Sequence, residues 1–163
     1  LKLKEGDVFE GEVEFIDASN STKSSTKSAH NNALSHFHAI ILHTNKPEET
    51  IARYCWLTNQ SSPRRIFGSS WKVGLDQQTI IVCSEEDVER IVPSVNVSNL
   101  PSILGYALLT ESLSKTKDCF SHNELALQSL NRGSFLVKLP EFISGNLIIG
   151  TSAADFPWNG GFN

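Results

Sequence analysis

The sequence has few cysteines, no long apolar run and no signal-peptide pattern at its start. Its three cysteines, Cys55, Cys83 and Cys119, lie far apart and form no CxxC pair, which disfavours a disulfide framework and predicts a cytoplasmic protein. No apolar run approaches the roughly 18–20 residues that a membrane helix needs. With 163 residues, 39% of them hydrophobic and 20% charged, the composition is typical of one soluble globular domain.

The motifs of several large enzyme classes are also missing. The chain has no G-x-S-x-G nucleophile elbow, no Cys/His signature, no phosphate-binding P-loop and no dinucleotide-binding glycine fingerprint. These absences disfavour the serine hydrolases, the P-loop nucleotidases and the Rossmann-type dehydrogenases. No internal repeat is visible along the chain.

Positive charge is scarce overall but concentrated in one segment. Residues 20–72 hold seven Lys and Arg against two Glu, although the whole chain has a formal net charge of −4. The same segment holds four of the five histidines. A basic sector on an acidic protein favours a local anion or phosphate site and disfavours broad coating of nucleic acid. Uneven solvated charge is the alternative interpretation.

Strand-like patterns dominate the first 95 residues. Period-two alternation and runs of β-branched and aromatic residues predict strands over 6–17, 36–44, 50–58 and 79–83, with a short strand near Ile66–Phe67. The strands at 36–44 and 50–58 are expected to form an antiparallel hairpin. The polar stretch over residues 18–35 predicts a long mobile loop.

Residues 96–163 show a different pattern. One helix is predicted from about residue 102 to Ser114, and a second over 121–133, with Ser121 as N-cap and Glu124 at the capping-box position. Two short strands, "SFLVKLP" and "GNLIIGTS", are predicted to follow. Strands followed by helices predict an α+β protein whose centre is a small barrel or curled sheet. We expect a single domain over 1–163, in which 96–163 form a helical and extended C-terminal extension of a β core at 1–95.

The strongest candidates for chemistry are the histidines of "LSHFHAIILHTNK". His36 and His38 have i, i+2 spacing on a predicted strand and so share a face, whereas His43 lies at the far end. A zinc site would need further ligands, and none stands at a recognisable spacing. Histidine titrates near neutrality, and one arginine can bind two phosphate oxygens at once. Arg64 and Arg65 would therefore supply the positive charge that a histidine acid and base need beside a phosphate. A core-edge histidine and a solvated arginine turn are the alternatives.

The first half also resembles the MazF/PemK family of toxin endoribonucleases. The stretches "EGDVFEGEVEF", the loop 18–35, "FHAIILHT" and "ARYCWLTNQSSP" are similar in order to the family's opening strand, flexible loop, apolar strand and Thr/Ser-rich strand end. The resemblance covers about residues 5–95 and implies an SH3-like β-barrel. It departs from the family at "SHFHA", where members carry a catalytic arginine.

The resemblance implies a toxin-like endoribonuclease that cleaves or binds single-stranded RNA without a metal or cofactor. It also implies a homodimer and an antitoxin partner. In the predicted mechanism His36 and His38 act as base and acid, and Arg64 or Arg65 steadies the phosphate. The predicted substrate-binding residues are Thr58, Gln60, Ser61, Lys23, Lys27 and Arg53. The alternatives are a non-catalytic protein-binding β-barrel module or regulator, and a metal-dependent enzyme built on His36 and His38.

Overall fold

A computed structural model describes residues 31–95, 100–130, 133–140 and 145–159. The predicted strand at 6–17, most of the predicted loop at 18–35, Lys23 and Lys27 lie outside the described residues. Within the described part of the chain, no helix is long and apolar enough to cross a membrane.

The described residues form eight strands, three helices and short 3-10 segments. The strands are β1 (Leu34–His43), β2 (Arg64–Phe67), β3 (Ser70–Leu75), β4 (Gln78–Cys83), β5 (Ser102–Thr110), β6 (Leu127–Ser129), β7 (Phe135–Lys138) and β8 (Asn146–Gly150). The helices are α1 (Pro47–Leu57), α2 (Val88–Ile91) and α3 (Leu113–His122). The 3-10 segments are Glu85–Asp87, Ala153–Asp155 and Pro157–Asn159.

All eight strands belong to one open, mixed sheet with the order β2-β3-β4-β1-β5-β8-β7-β6. β1 runs parallel to β4 and β5 runs parallel to β8, whereas β1 and β5 pair antiparallel at the centre. The sheet therefore consists of two βαβββ halves, joined edge to edge where Ile40 lies opposite Tyr106. The α+β class is confirmed. The described sheet does not close, so the predicted small SH3-like barrel is not what these residues form.

The two halves repeat the same hydroxyl pair at the junction of their first strand and helix. Thr44 Oγ1 accepts a hydrogen bond from the backbone N–H two residues later and lies 3.4 Å from Thr50 Oγ1. Thr110 Oγ1, 66 residues further on, accepts the same backbone bond and lies 2.6 Å from Thr116 Oγ1. All four threonines are buried. The chain thus contains an internal repeat, although none was predicted. The residues that match between the two halves are those that form hydrogen bonds.

A second repeated feature follows the last strand of each half. Ser84 and Asp87 come directly after β4, and the Asp87 carboxylate accepts a hydrogen bond of 2.9 Å from Ser84 Oγ. Ser152 and Asp155 come after β8, with the same spacing, and Ser152 Oγ donates to Asp155 over 3.1 Å. Each S-x-x-D motif opens a 3-10 turn that directs the following residues onto the sheet.

The sheet is covered on both faces. On the outer face, α1 packs over the first half and α3 over the second half, each on its own apolar cluster. On the inner face, one apolar cluster spans both halves and includes α2 and the C-terminal residues Phe156 and Trp158. The inner face is therefore filled by the segments that follow β4 and β8.

Three predicted elements are wrong. The predicted strand at 50–58 lies in α1, where Pro47 occupies the first turn and glutamates favour the amino end of the helix. The predicted helix from residue 102 is β5, which pairs with strands on both sides. The predicted helix over 121–133 fails because α3 ends at His122 and Glu124 has a positive φ of 57°. The strands predicted around 36–44, 79–83, "SFLVKLP" and "GNLIIGTS" are confirmed.

Candidate functional site

The first strand brings His36 and His38 to the inner face of the sheet. The ring of His38 stacks on that of Phe156, with centroids 5.0 Å apart and planes 13° from parallel. His36 is exposed and lies opposite Leu109, which packs against the same inner cluster as Phe156. The two histidines therefore share a face, as their i, i+2 spacing predicts.

The two arginines of β2 point to opposite faces of the sheet. Arg64 lies opposite Lys72 on β3, so these two side chains share a face. Arg65 instead lies on the outer face, with its guanidinium carbon 4.9 Å from the centroid of the Trp71 ring. Its Nη2 atom forms an ion pair with Glu48 Oε1 of α1 over 3.4 Å. The predicted arginine pair is thus divided, and only Arg64 remains on the side of the histidines.

His38, Arg64 and Lys72 form what we call the basic cluster. Burial lowers the pKa of His38, and the nearby charge of Lys72 lowers it further. Burial also lowers the pKa of Lys72, and the Arg64 guanidinium adds to this effect. Among the described residues, no carboxylate forms an ion pair with any member of the cluster. Positive charge without a described counter-charge makes this part of the surface favourable for an anion.

The basic cluster adjoins a segment that we call the C-terminal strap, residues 151–159. Lys72 Nζ donates a hydrogen bond to Asn159 Oδ1 of the strap. Phe156 stacks between His38 and Trp158, and the ring centroids of Phe156 and Trp158 are 5.2 Å apart. The indole N–H of Trp158 is buried without a hydrogen-bond acceptor among the described residues. The strap thus closes the inner face beside the cluster with a row of stacked rings.

Among the described residues, the second half of the sheet has no equivalent of this cluster. Lys138 stands 66 residues after Lys72 on the equivalent strand and donates to the carbonyl oxygen of Ser94. The residue paired with Lys138 across the strand is Ala126, whereas Lys72 faces Arg64. The residue 66 positions after His38 is Leu104. The lysine is therefore present in both halves of the sheet, whereas Arg64 and His38 have counterparts of a different type in the second half.

The other predicted substrate-binding residues that the structure describes lie away from the cluster. Thr58 Oγ1 donates to the Tyr54 carbonyl oxygen over 2.7 Å and ends α1. Arg53 also lies on α1, on the outer side of the sheet, with its guanidinium 6.0 Å from the Tyr54 ring. Gln60 and Ser61 are exposed in the connection from α1 to β2.

A separate groove of about 760 Å³ lies at the carboxyl ends of β1 and β4. It is lined by Thr44, Asn45, Lys46, Pro47, Glu48, Glu49, Ser69, Ser84, Glu85 and Glu86. Four glutamates against one lysine make it acidic, and the acidic residues also suit the amino end of α1. In the part of the chain that the structure describes, no group of three or more His, Cys, Asp and Glu side chains is arranged to hold a metal ion. The groove does not include the histidines of β1.

Sequence reasoning missed Lys72 and the strap. Lys72 was counted in the basic segment, but only the register of β2 against β3 shows that it faces Arg64. Strand alternation alone would have separated Arg64 from Arg65, because neighbouring residues of a strand point to opposite faces. No local signal links the tail "DFPWN" to β1, since that contact joins residues more than 100 positions apart.

Comparisons with known proteins show the fold. No family model matches the sequence, and no curated protein matches it. Among solved structures, methylmalonyl-CoA epimerase from Mycobacterium tuberculosis is similar with a TM-score of 0.53 and 7% identity, over 72% of this chain and 87% of that chain. This likeness supports the fold described above, and at such low identity it shows the fold alone.

Two further solved structures are more distant. An NAD-dependent benzaldehyde dehydrogenase from Legionella pneumophila has a TM-score of 0.45 and 11% identity, over 68% of this chain and 95% of that chain. An integron cassette protein from the mobile metagenome of V. cholerae has a TM-score of 0.27 and 11% identity, over 71% of this chain and 93% of that chain.

The fold overturns the resemblance to the MazF/PemK toxins. The segment that was matched to the strand ending in the family's Thr/Ser-rich loop is α1, and the described strands form one open mixed sheet of two βαβββ halves. The similar solved structure is an epimerase. The predicted toxin-like endoribonuclease is therefore wrong. The roles of His36 and His38 as base and acid stay predictions. The predicted partners, single-stranded RNA, an antitoxin and a second copy of the chain, rested on that resemblance and have no other support.

Proposed function

We propose that this protein binds a small anionic ligand, carrying a carboxylate or phosphate group, at the basic cluster. The observation that carries the proposal is the gathering of His38, Arg64 and Lys72 on one face without a described carboxylate partner. Burial and the neighbouring Arg64 guanidinium both lower the pKa of Lys72. A bound anion would offset both effects, because opposite charge favours the protonated form of the amine.

The three groups offer complementary chemistry to an anion. The planar guanidinium of Arg64 can donate two parallel hydrogen bonds to a pair of anionic oxygens, and Lys72 supplies a compact point charge. The lowered pKa of His38 leaves its ring neutral at pH 7, so it can donate one N–H to a third oxygen. A guanidinium, an amine and a neutral N–H donor together suit a carboxylate or a singly or doubly charged phosphate.

The internal repeat also supports a binding role. Lys138 indicates what the fold needs at this position. Like Lys72 in the first half, it donates a hydrogen bond to a segment that crosses from the other half. His38 and Arg64 are not needed for that purpose, because Leu104 and Ala126 stand at the equivalent positions of a half that forms the same strands. Residues that break a structural repeat are candidates for function.

The proposal is tested by calorimetric titration with inorganic phosphate and acetate at low ionic strength. We expect Arg64→Ala to weaken binding at least about tenfold, the effect of losing roughly 1.4 kcal/mol of charge-assisted hydrogen bonding. Arg65→Ala is the matched control, because Arg65 is the next residue of the same strand and points to the opposite face. Absence of binding by the unmodified protein, or equal loss in both variants, would contradict the proposal.

A further inference from the structure

We infer that the ligand is amphipathic, with its anionic head at Arg64 and Lys72 and an apolar body in the place that Phe156 and Trp158 occupy on the inner face. This inference rests on the proposed anion site and names the class of molecule that the site takes. It makes the C-terminal strap a competitor of the ligand.

The strap ends where the basic cluster begins. Asn159 Oδ1 is the acceptor that the structure gives to Lys72. An amide oxygen is a weaker acceptor for an ammonium group than a carboxylate or phosphate oxygen, because a charge-assisted hydrogen bond is roughly twice as strong as a neutral one. An anion held by Arg64 therefore competes favourably with Asn159 for Lys72, and this contact joins the site to the strap.

The surface that the strap covers is apolar. Ala39, Ile41 and Ile81 belong to the same buried cluster as Phe156 and Trp158 and are fully buried. If Phe156 and Trp158 moved away, this surface would meet water, so a small polar anion could not replace them. A ligand with an apolar body could, because it would keep the surface dry while its head remained at the cluster.

The strap is not fully satisfied in its closed position. Trp158 is 4% exposed, and its indole N–H has no acceptor among the described residues. A buried donor without a partner is unfavourable relative to the same donor in water. Release of Trp158 to solvent would satisfy this N–H, which offsets part of the apolar exposure and favours displacement by a ligand.

The internal repeat separates this feature from the needs of the fold. The segment that follows β4 covers the inner face with the aliphatic side chains of Val88 and Ile91. The segment that follows β8 uses Phe156 and Trp158 instead, and it alone is tethered beside Arg64. The aromatic strap and the basic cluster thus occur together at the same place, which points to a common role.

The inference is tested with two carboxylates that share a head group, decanoate below its micelle concentration and acetate. We expect decanoate to bind at least about tenfold more tightly than acetate. Decanoate should also increase the quenching of tryptophan fluorescence by acrylamide. The same titration of Trp158→Phe should lack the accessibility change. Asn159→Ala removes the acceptor of Lys72 and the hydrogen bond from Asn159 Nδ2 to the Ala153 carbonyl oxygen within the strap. Because both losses loosen the strap, this variant should bind decanoate more tightly than the unmodified protein.

The outcomes separate the inference from the proposed function. Equal affinities for decanoate and acetate, or decanoate binding with Trp158 still shielded, would overturn the amphipathic ligand and leave anion binding intact. Decanoate binding that Arg64→Ala does not weaken would overturn the inference by placing the head group elsewhere. Failure of phosphate, acetate and decanoate alike to bind the unmodified protein and Asn159→Ala would overturn the anion site itself. Circular dichroism and thermal unfolding show that each variant is folded.

Discussion

Lys72 and Lys138 occupy the same position in the two halves of the sheet, 66 residues apart, and each donates a hydrogen bond to a segment that crosses from the other half. The acceptor of Lys72 is Asn159, and that of Lys138 is the carbonyl oxygen of Ser94. Only Lys72 has an arginine opposite it. The common contact belongs to the fold, and the difference in surroundings supports the proposed binding site in the first half.

The charge of Lys72 is expected to add to the lowering of the His38 pKa. Burial lowers the pKa of His38 and Lys72 lowers it further, so NMR titration should give a pKa below the ordinary value of about 6.5. Lys72→Met should raise it, and so should a bound anion. Lys46→Met is the control, because Lys46 is paired with Glu49 on the surface. A His38 pKa that Lys72→Met leaves unchanged would contradict the described cluster.

The same shift has a consequence for stability. The folded chain holds a proton on His38 less readily than the unfolded chain, so the unfolded state binds more protons between the two pKa values. Stability should therefore fall as the pH drops below about 6.5 towards the folded pKa. His38→Gln should make the urea midpoint less dependent on pH in this window, and an unchanged slope would contradict the prediction.

The elements that sequence patterns predicted well are the buried strands. The apolar run of β1 and the β-branched run of β4 pair with each other at the centre of the sheet, so their burial on both faces matches their composition. α1 was missed because "TIARYCWLT" is rich in β-branched and aromatic residues, which favour a strand. The same residues can also pack on the buried face of a helix. The signal for a helix was Pro47 followed by two glutamates, the common start of a helix.

The internal repeat escaped detection for a different reason. It is carried by a few hydrogen-bonding residues, such as Thr44 and Thr110, whereas the apolar positions differ freely between the halves. Apolar residues of similar size replace one another at modest cost, but a buried hydroxyl that bonds the backbone does not. His38 and Arg64 could be named from the sequence, whereas Lys72, the third member of the proposed site, needed a strand register that no local pattern specifies.

Gly68 is expected to be essential for the turn between β2 and β3. Its φ of +45° is unfavourable for other residues, and a Cβ atom there would lie within 3 Å of the Asp87 carboxylate. That carboxylate accepts hydrogen bonds from Ser70 and Ser84. Gly68→Ala should therefore lower the free energy of unfolding by about 2 kcal/mol or more, from the left-handed backbone and the displaced buried bonds. Urea unfolding measures this change.

Gly74 provides the control for Gly68. It lies in β3, and a Cβ atom at this position would meet nothing within 4 Å. Gly74→Ala should therefore leave the urea midpoint unchanged or raise it, because alanine restricts the unfolded chain. Equal midpoints for the two variants would show that the Asp87 contacts do not depend on the turn.

Asp155 is expected to stabilise the strap through its ionised form. Burial raises the pKa of Asp155, but hydrogen bonds from Thr151 and Ser152 outweigh this effect and bring the pKa below its ordinary value. The stabilisation should be present above about pH 4 and lost as the pH falls through the folded pKa. The gap in urea midpoint between the unmodified protein and Asp155→Asn should close in acid. Asp76→Asn, in an exposed turn, should show no such gap, and a gap for Asp155→Asn that persists in acid would contradict this role.

Cys83 is expected to be inert in the folded protein. Burial raises the pKa of its thiol to about 12, because it outweighs the lowering effect of the Ser70 hydrogen bond, and the charge of Asp87 adds a smaller rise. Alkylation needs the thiolate and access to it, and Cys83 is fully buried. With N-ethylmaleimide at neutral pH, followed by peptide mass spectrometry, the half-buried Cys119 should be modified at least about tenfold faster than Cys83. In urea the two rates should converge, and comparable rates in the native protein would mean that the end of β4 opens readily.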